Sequence, residues 1–334
     1  MKLKQVLGEC CIASKRKAIP ILGFAAAKEK GYLLGELVKS SEKQAGLYEF
    51  IASETETAAV TALHDMSVEA EAFGCEAVIT EYEAPGVAGC IVSDGETAEK
   101  LEIPSAGAGR TDAVIEALRL YKERGMDKPV IANMTGPFSL TGFLMDVNEI
   151  LYTLYDEPET VHLVLSKAVS FLKEYGVSLK QAGADGLLVA EPLTGVLSPN
   201  LAAEFSMPYV KELIDALQDE DFPVIYHNCG SSAGAMLPEI YSQGAAAYHF
   251  GNATDLGAAI ESAPEGCYIM GNIDPVSGFQ NGTPESIYGS TKELILKCCH
   301  YPEFIASSGC DVPVSTSMEN IRAFFQAVRD SRER

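Results

Sequence analysis

No stretch of the sequence stays apolar for long enough to cross a bilayer, although 47% of its residues are hydrophobic. A membrane-spanning chain is therefore not expected. So much apolar side chain in 334 residues also excludes an intrinsically disordered chain and supports a large core. The opening MKLKQVLGECC has lysines, but no long apolar stretch and no small-residue cleavage site follow them. No secretory signal is expected, and the protein is read as cytoplasmic. Basic residues are few: 25 Lys and Arg stand against 47 Asp and Glu, for a net charge of -22. A field of that sign repels nucleic acid and anionic membranes, so neither is expected as a partner. Two nucleotide-binding signatures are missing as well. No GxGxxG follows a plausible first strand, and GxxxxGK(S/T) does not occur. With no internal repeat and no low-complexity linker, residues 1–334 read as a single domain.

Nine cysteines are present, an odd count that does not suit a disulfide scaffold. Most read as small buried hydrophobes, with any metal ligands to be chosen by context. Short apolar runs recur, as expected of strands covered on both faces. They are Pro20–Phe24, Glu76–Thr80, Pro129–Asn133, Gly186–Ala190, Pro223–His227, Ala246–Phe250, Cys267–Gly271 and Phe304–Ser308. Helical spacing is expected over Ser53–Phe73, Thr111–Glu123, Val161–Tyr175, Tyr209–Leu217, Lys292–Cys298 and Asn320–Val328. This alternation predicts a (β/α)8 TIM barrel, with additional N-terminal helices and inserted segments filling the long early intervals.

On such a barrel, His227 and Cys229 fall at the end of the fifth predicted strand and Cys310 just beyond the eighth. Both positions belong to the C-terminal rim, where side chains from different strands converge. One imidazole and two thiolates suit zinc with a fourth position left open, and soft sulfur disfavours magnesium or calcium. Residue spacing alone equally allows two core cysteines and a hydrogen-bonded histidine. The other strand ends carry polar residues. Glu83 and Glu191 are candidates for a fourth ligand or for holding the ligating imidazole. Asn133, Tyr226, His249, Asn272 and Asp274 are candidates for cofactor contact. Cys298-Cys299-His300 is set aside, because adjacent side chains at a helix end do not converge.

Several segments carry a family resemblance: Asp65–Gly74, Thr135–Phe138, Gly183–Gly186, Leu197–Pro199, His227–Gly230, Gly271–Pro275, Gly282–Glu285, Gly309–Pro313 and Glu319-Asn320. On these, the chain from about Lys15 onward resembles the uroporphyrinogen decarboxylase superfamily, particularly its methylcobalamin:coenzyme M methyltransferase branch. The resemblance implies a (β/α)8 barrel whose H-x-C and G-C-D motifs supply zinc ligands, here His227, Cys229 and Cys310. It implies methyl transfer from a methyl-Co(III) corrinoid (methylcobalamin), presented by a corrinoid carrier protein, to a small-molecule thiol such as coenzyme M. Three alternatives stay open at this point. One is transfer from a methoxy or methylamine donor to a Co(I) corrinoid protein, another uroporphyrinogen decarboxylation, and the third a non-catalytic corrinoid-protein-binding or zinc-binding module. The decarboxylase goes with an early R-Q-A-G-R segment that binds substrate carboxylates, where this chain has Gly23–Lys28. A homo-oligomer is compatible with all of these.

Overall fold

Runs such as Val130–Thr135 and Gly186–Ala190 are buried at every position, which requires cover on both faces of the strand. The computed structural model, which describes residues 2–332, provides that cover. Nine strands form among the described residues. They are β1 (Val60–Thr61), β2 (Glu76–Val78), β3 (Gly86–Ala88), β4 (Val130–Thr135), β5 (Gly186–Ala190), β6 (Val224–Asn228), β7 (Ala247–Phe250), β8 (Tyr268–Ile273) and β9 (Phe304–Ser308). Seven of them make one parallel sheet in the order β1-β4-β5-β6-β7-β8-β9.

The two edges of this sheet meet a stretch that precedes β1. Ala18 bridges Ala306 of β9 in parallel, and Ile19 donates its N–H to the Ala306 carbonyl at 3.1 Å. On the other side, Ala58, just before β1, donates to the Ala18 carbonyl at 3.0 Å. Residues 18–21 thus act as an eighth stave, and the architecture is the TIM-barrel-like (β/α)8 fold expected from the sequence. No helix among the described residues is long and apolar enough to cross a membrane.

Two staves differ from the sequence expectation. Regular pairing does not run through Pro20–Phe24, because Pro20 has no N–H for a ladder. The Ile21 N–H goes instead to the Ser308 hydroxyl at 3.0 Å. Nor does Glu76–Thr80 supply the second stave. β2 pairs antiparallel with β3 in a hairpin apart from the barrel sheet, with its residues half or fully exposed. The second stave is β1, inside the stretch expected to be one helix, Ser53–Phe73. That stretch is divided among helix Ser41–Glu54, β1 and helix Val68–Ala72. Ala58–Leu63 is buried throughout and apolar but for Thr61, and a run buried at every position carries no period that separates helix from strand.

Strand alternation then positions the upper interior. Ile131, Leu188, Ile225, Ala247, Met270 and Ile305 pack together inside the barrel with Leu3, Val6, Leu7 and Cys10. The last four line the apolar side of helix Leu3–Cys11, which plugs the barrel from the end opposite the strand C-termini. Two residues further along five of these strands, on the same inward face, stand Asn133, His227, His249, Asn272 and Ser307. Register pairs His227 with His249 and Asn272 with Ser307. The floor of the barrel mouth is therefore a layer of imidazole, amide and hydroxyl above an apolar plug.

Candidate metal centre

His227 is fully buried near the end of β6, and its ring is oriented from behind. Its Nδ1 lies 2.8 Å from Nδ1 of His249 and 3.1 Å from the His249 carbonyl. Nε2 of His249 lies 2.8 Å from the Ser307 hydroxyl, which donates to the Ile19 carbonyl at 2.7 Å. One proton assignment gives every donor in this chain an acceptor. His227 Nδ1–H donates to His249 Nδ1, His249 Nε2–H donates to Ser307, and Ser307 donates to Ile19. Burial and the neighbouring imidazoles hold the His249 pKa well below its ordinary value, consistent with a neutral ring. The assignment leaves the Nε2 lone pair of His227 free, and that atom is buried with no hydrogen-bond partner.

Beside it lie Cys310, two residues past β9, and His64, three residues past β1. Ligand atoms of His64, His227 and Cys310 all fall within 4.8 Å of one another. The His64 and His227 rings meet edge to face with centroids 5.9 Å apart. Burial, reinforced by His227, lowers the His64 pKa to about 3, so this ring too is neutral. Its Nδ1 is buried without a partner.

Cys229, one residue past β6, joins the cluster through its contact with the Cys310 thiol. A hydrogen bond from Cys310 draws the Cys229 pKa below the usual thiol value. The same contact, together with burial, pushes Cys310 up to about 12. The two sulfurs are thus in contact, and each shifts the other's titration. Gly251 allows Cys229 to sit where it does: a Cβ on Gly251 would lie 2.6 Å from the Cys229 Cα. Asn272 braces that loop by donating to the carbonyls of Gly251 (2.9 Å) and Thr254 (2.8 Å).

The segment carrying His64 is anchored on both sides. Asn133 donates its amide to the Ala62 carbonyl, and the Leu63 N–H donates to the Tyr48 hydroxyl at 3.3 Å. On the far side, Asp65 accepts from Ser67 N–H (3.1 Å) and Oγ (2.7 Å) and pairs with the buried Arg110, which also pairs with Glu71. Two buried imidazole nitrogens without partners and two sulfurs in contact form a soft, deprotonatable donor set whose chemistry fits zinc.

Several residues singled out in the sequence are placed elsewhere. Glu83 is exposed in the turn between β2 and β3, its N–H bonded to the Thr80 hydroxyl at 3.1 Å. Glu191 is buried but faces helix Pro137–Met145. It accepts from Phe138 N–H (2.8 Å), Ser139 N–H (2.9 Å) and Ser139 Oγ (2.7 Å). Neither carboxylate belongs to the donor cluster, and the partner of the His227 ring is His249. Tyr226 alternates to the outer face of β6, where its hydroxyl accepts from the Asn228 amide at 3.1 Å and its ring packs on Tyr248. Asp274 caps the helical turn Pro275–Gln280, accepting from Val276 N–H (2.8 Å) and Ser277 N–H (2.9 Å). Asn133 and Asn272 are at the barrel mouth, with their amides used to brace loops. His64 was not foreseen. Its signal was a His-Asp pair directly after the apolar run Ala58–Leu63, hidden once that run was read as helix.

Comparison with known proteins agrees with this architecture. The sequence pattern of the uroporphyrinogen decarboxylase (URO-D) family matches residues 10–331. A methylcobamide:CoM methyltransferase of Methanosarcina acetivorans is 26% identical over 276 residues, covering 81% of this chain and 79% of that protein. A methylated-thiol–coenzyme M methyltransferase of Methanosarcina mazei is 28% identical over 274 residues, covering 80% and 71%. Among solved structures, a methyltransferase from Methanosarcina mazei superposes with a TM-score of 0.87 at 20% identity, over 99% of both chains.

Proposed function

The chain belongs to the uroporphyrinogen decarboxylase (URO-D) family, and on that premise we propose that it is a zinc-dependent corrinoid methyltransferase. In this reading it moves a methyl group from a methyl-Co(III) corrinoid, presented by a carrier protein, to a thiol such as coenzyme M. One observation carries the proposal: ligand atoms of His64, His227 and Cys310 converge within 4.8 Å, where Nε2 of His227 is buried without a hydrogen-bond partner and Cys229 touches the Cys310 thiol. His227, Cys229 and Cys310 would hold the metal. Bound there, zinc would act as a Lewis acid that keeps the acceptor sulfur as a nucleophilic thiolate near neutral pH.

The remaining roles belong to the chain. His249 and Ser307 hold the tautomer that turns Nε2 of His227 outward. The Cys310 thiol would give up its proton to hold the metal, so loading would release protons. The apolar plug beneath the layer excludes water from below, leaving the strand C-termini as the route to the reacting sulfur. Support from relatives is in kind: two of the similar proteins carry coenzyme M methyltransferase names. The donor set also weighs against decarboxylation, which has no use for paired thiols. Arg110 is spent on Asp65 and Glu71 rather than facing an acidic substrate.

An optical assay tests the direction of transfer. The zinc-loaded protein is mixed with methylcobalamin and candidate thiols, and loss of the methylcobalamin spectrum is followed. Thiol-dependent demethylation is expected. If no thiol supports it while methoxylated or methylamine donors methylate a Co(I) corrinoid, transfer runs the other way.

A further inference from the structure

We infer that His64 is a fourth protein ligand of this metal, filling in the resting enzyme the position that the acceptor's sulfur takes during turnover. The inference rests on the metal reading above and adds a residue to it. Among the described residues, His64, His227 and Cys310 are the His, Cys, Asp and Glu side chains whose donor atoms converge within 4.8 Å. The two carboxylates considered for the fourth position, Glu83 and Glu191, are committed elsewhere. A buried ring nitrogen with no partner is costly, and His64 has one, at Nδ1. A metal bond to that atom would satisfy it, as one to Nε2 would satisfy the matching orphan on His227.

The two imidazoles differ in a way that assigns them different tasks. His227 is fully buried, and a chain of hydrogen bonds ending at Ile19 fixes its ring. His64 is half-buried, and no side-chain hydrogen bond among the described residues fixes its ring, although its backbone is held by Asn133, Tyr48 and the Asp65–Arg110 pair. A tethered backbone with an untethered ring describes a ligand that leaves by rotating about its own side-chain bonds and returns to the same place. In the exchange, a sulfur–metal bond forms as the imidazole–metal bond breaks, and the proton of the incoming thiol passes to solvent. The donor set changes from two nitrogens and two sulfurs to one nitrogen and three sulfurs. His64 thereby keeps water and stray ligands off the metal between turnovers, without a carboxylate.

X-ray absorption at the zinc edge, on the full zinc-loaded chain with and without coenzyme M, tests this. Two nitrogens and two sulfurs are expected without thiol, and one nitrogen and three sulfurs with it. In the cobalt(II)-substituted protein, His64→Ala should shift the visible ligand-field bands in the absence of thiol. It should leave the thiol-bound spectrum unchanged and weaken zinc retention against a chelator by about tenfold or more. A wild-type shell of one nitrogen, two sulfurs and an oxygen, unaltered in His64→Ala, overturns the role of His64 and leaves the proposed function standing. A wild-type chain that takes up no zinc overturns both. The absorption measurement on the wild-type chain decides the matter even if the variant does not fold.

Discussion

His227 and His249 stand side by side on β6 and β7, with their Nδ1 atoms 2.8 Å apart, and the second residue, by its ring and its carbonyl, determines which nitrogen of the first is free. An imidazole in the outer shell is an unusual choice where a carboxylate or carbonyl is common. It supplies orientation without adding a negative charge beside two thiols. His249→Ala removes the imidazole acceptor for His227 Nδ1–H and leaves the backbone carbonyl of residue 249, 3.1 Å away, as the remaining hold on the ring. Zinc affinity should fall by about 10- to 100-fold, as for other partners of metal-binding histidines. Competition with a chromophoric chelator measures it, with circular dichroism as the check on folding. Unchanged affinity would remove His249 from the site.

Cys310 is half-buried and lies outside the apolar core. Cys310→Ala should therefore fold, bind well below one zinc per chain and lose at least about a hundredfold in methyl transfer. Metal analysis of protein purified without chelator should find about one zinc per wild-type chain. Turnover unaffected by the substitution would sink the assigned role.

Gly251 is a second lever on the same sulfur. A methyl group there would lie 2.6 Å from the Cys229 Cα and 2.8 Å from its Cβ, against backbone that Asn272 holds in place. Gly251→Ala should cost about 1–3 kcal/mol of stability, in the range of core overpacking. Zinc affinity should fall with it. A urea melt and a zinc titration of the same preparation check the two effects, and an undisturbed titration would mean that Cys229 is not pinned by this contact.

Burial also governs how stability depends on pH. Glu69, on helix Val68–Ala72, accepts from Thr135 N–H (3.1 Å) and Oγ (2.8 Å), yet loss of solvent pushes its pKa up to about 7. A carboxyl whose pKa rises on folding contributes stability that is fully present below its unfolded value, near 4.5. That contribution is lost as pH climbs through about 7. Glu69→Gln should thus improve relative to wild type between pH 5 and pH 7.5, by at most about 3 kcal/mol. Urea midpoints of both proteins at the two pH values give the comparison, and an equal gap at each pH would contradict it.

Much of the barrel was legible because strands buried on both faces are apolar at successive positions and end abruptly. Gly186–Ala190 and Phe304–Ser308 coincide with β5 and β9. What escaped was short or lacked a donor. β1 is two residues long inside a run buried at every position, and the closing stave contains Pro20. Losing β1 to a helix also concealed His64.

The positions of His227, Cys229 and Cys310 at strand ends could be read from local pattern. Which way a side chain faces there could not, because neighbours in a strand point to opposite sides. Tyr226 and Glu191 were grouped with the mouth residues for that reason, yet they point outward to the helices. His249, at the same height and of the opposite parity to Tyr248, points in.

The bond from Ser307 to the Ile19 carbonyl ties the last strand to the first stave across 288 positions of chain. Since Ser307 is also the anchor of the His249 ring, the orientation of His227 is completed only when the two ends of the chain have met. Most of the donor set could gather in a half-assembled chain emerging from the ribosome, but its geometry would be loose. On the zinc reading, tight metal capture would in this way be a late event in the life of each molecule, reporting that the ring has closed.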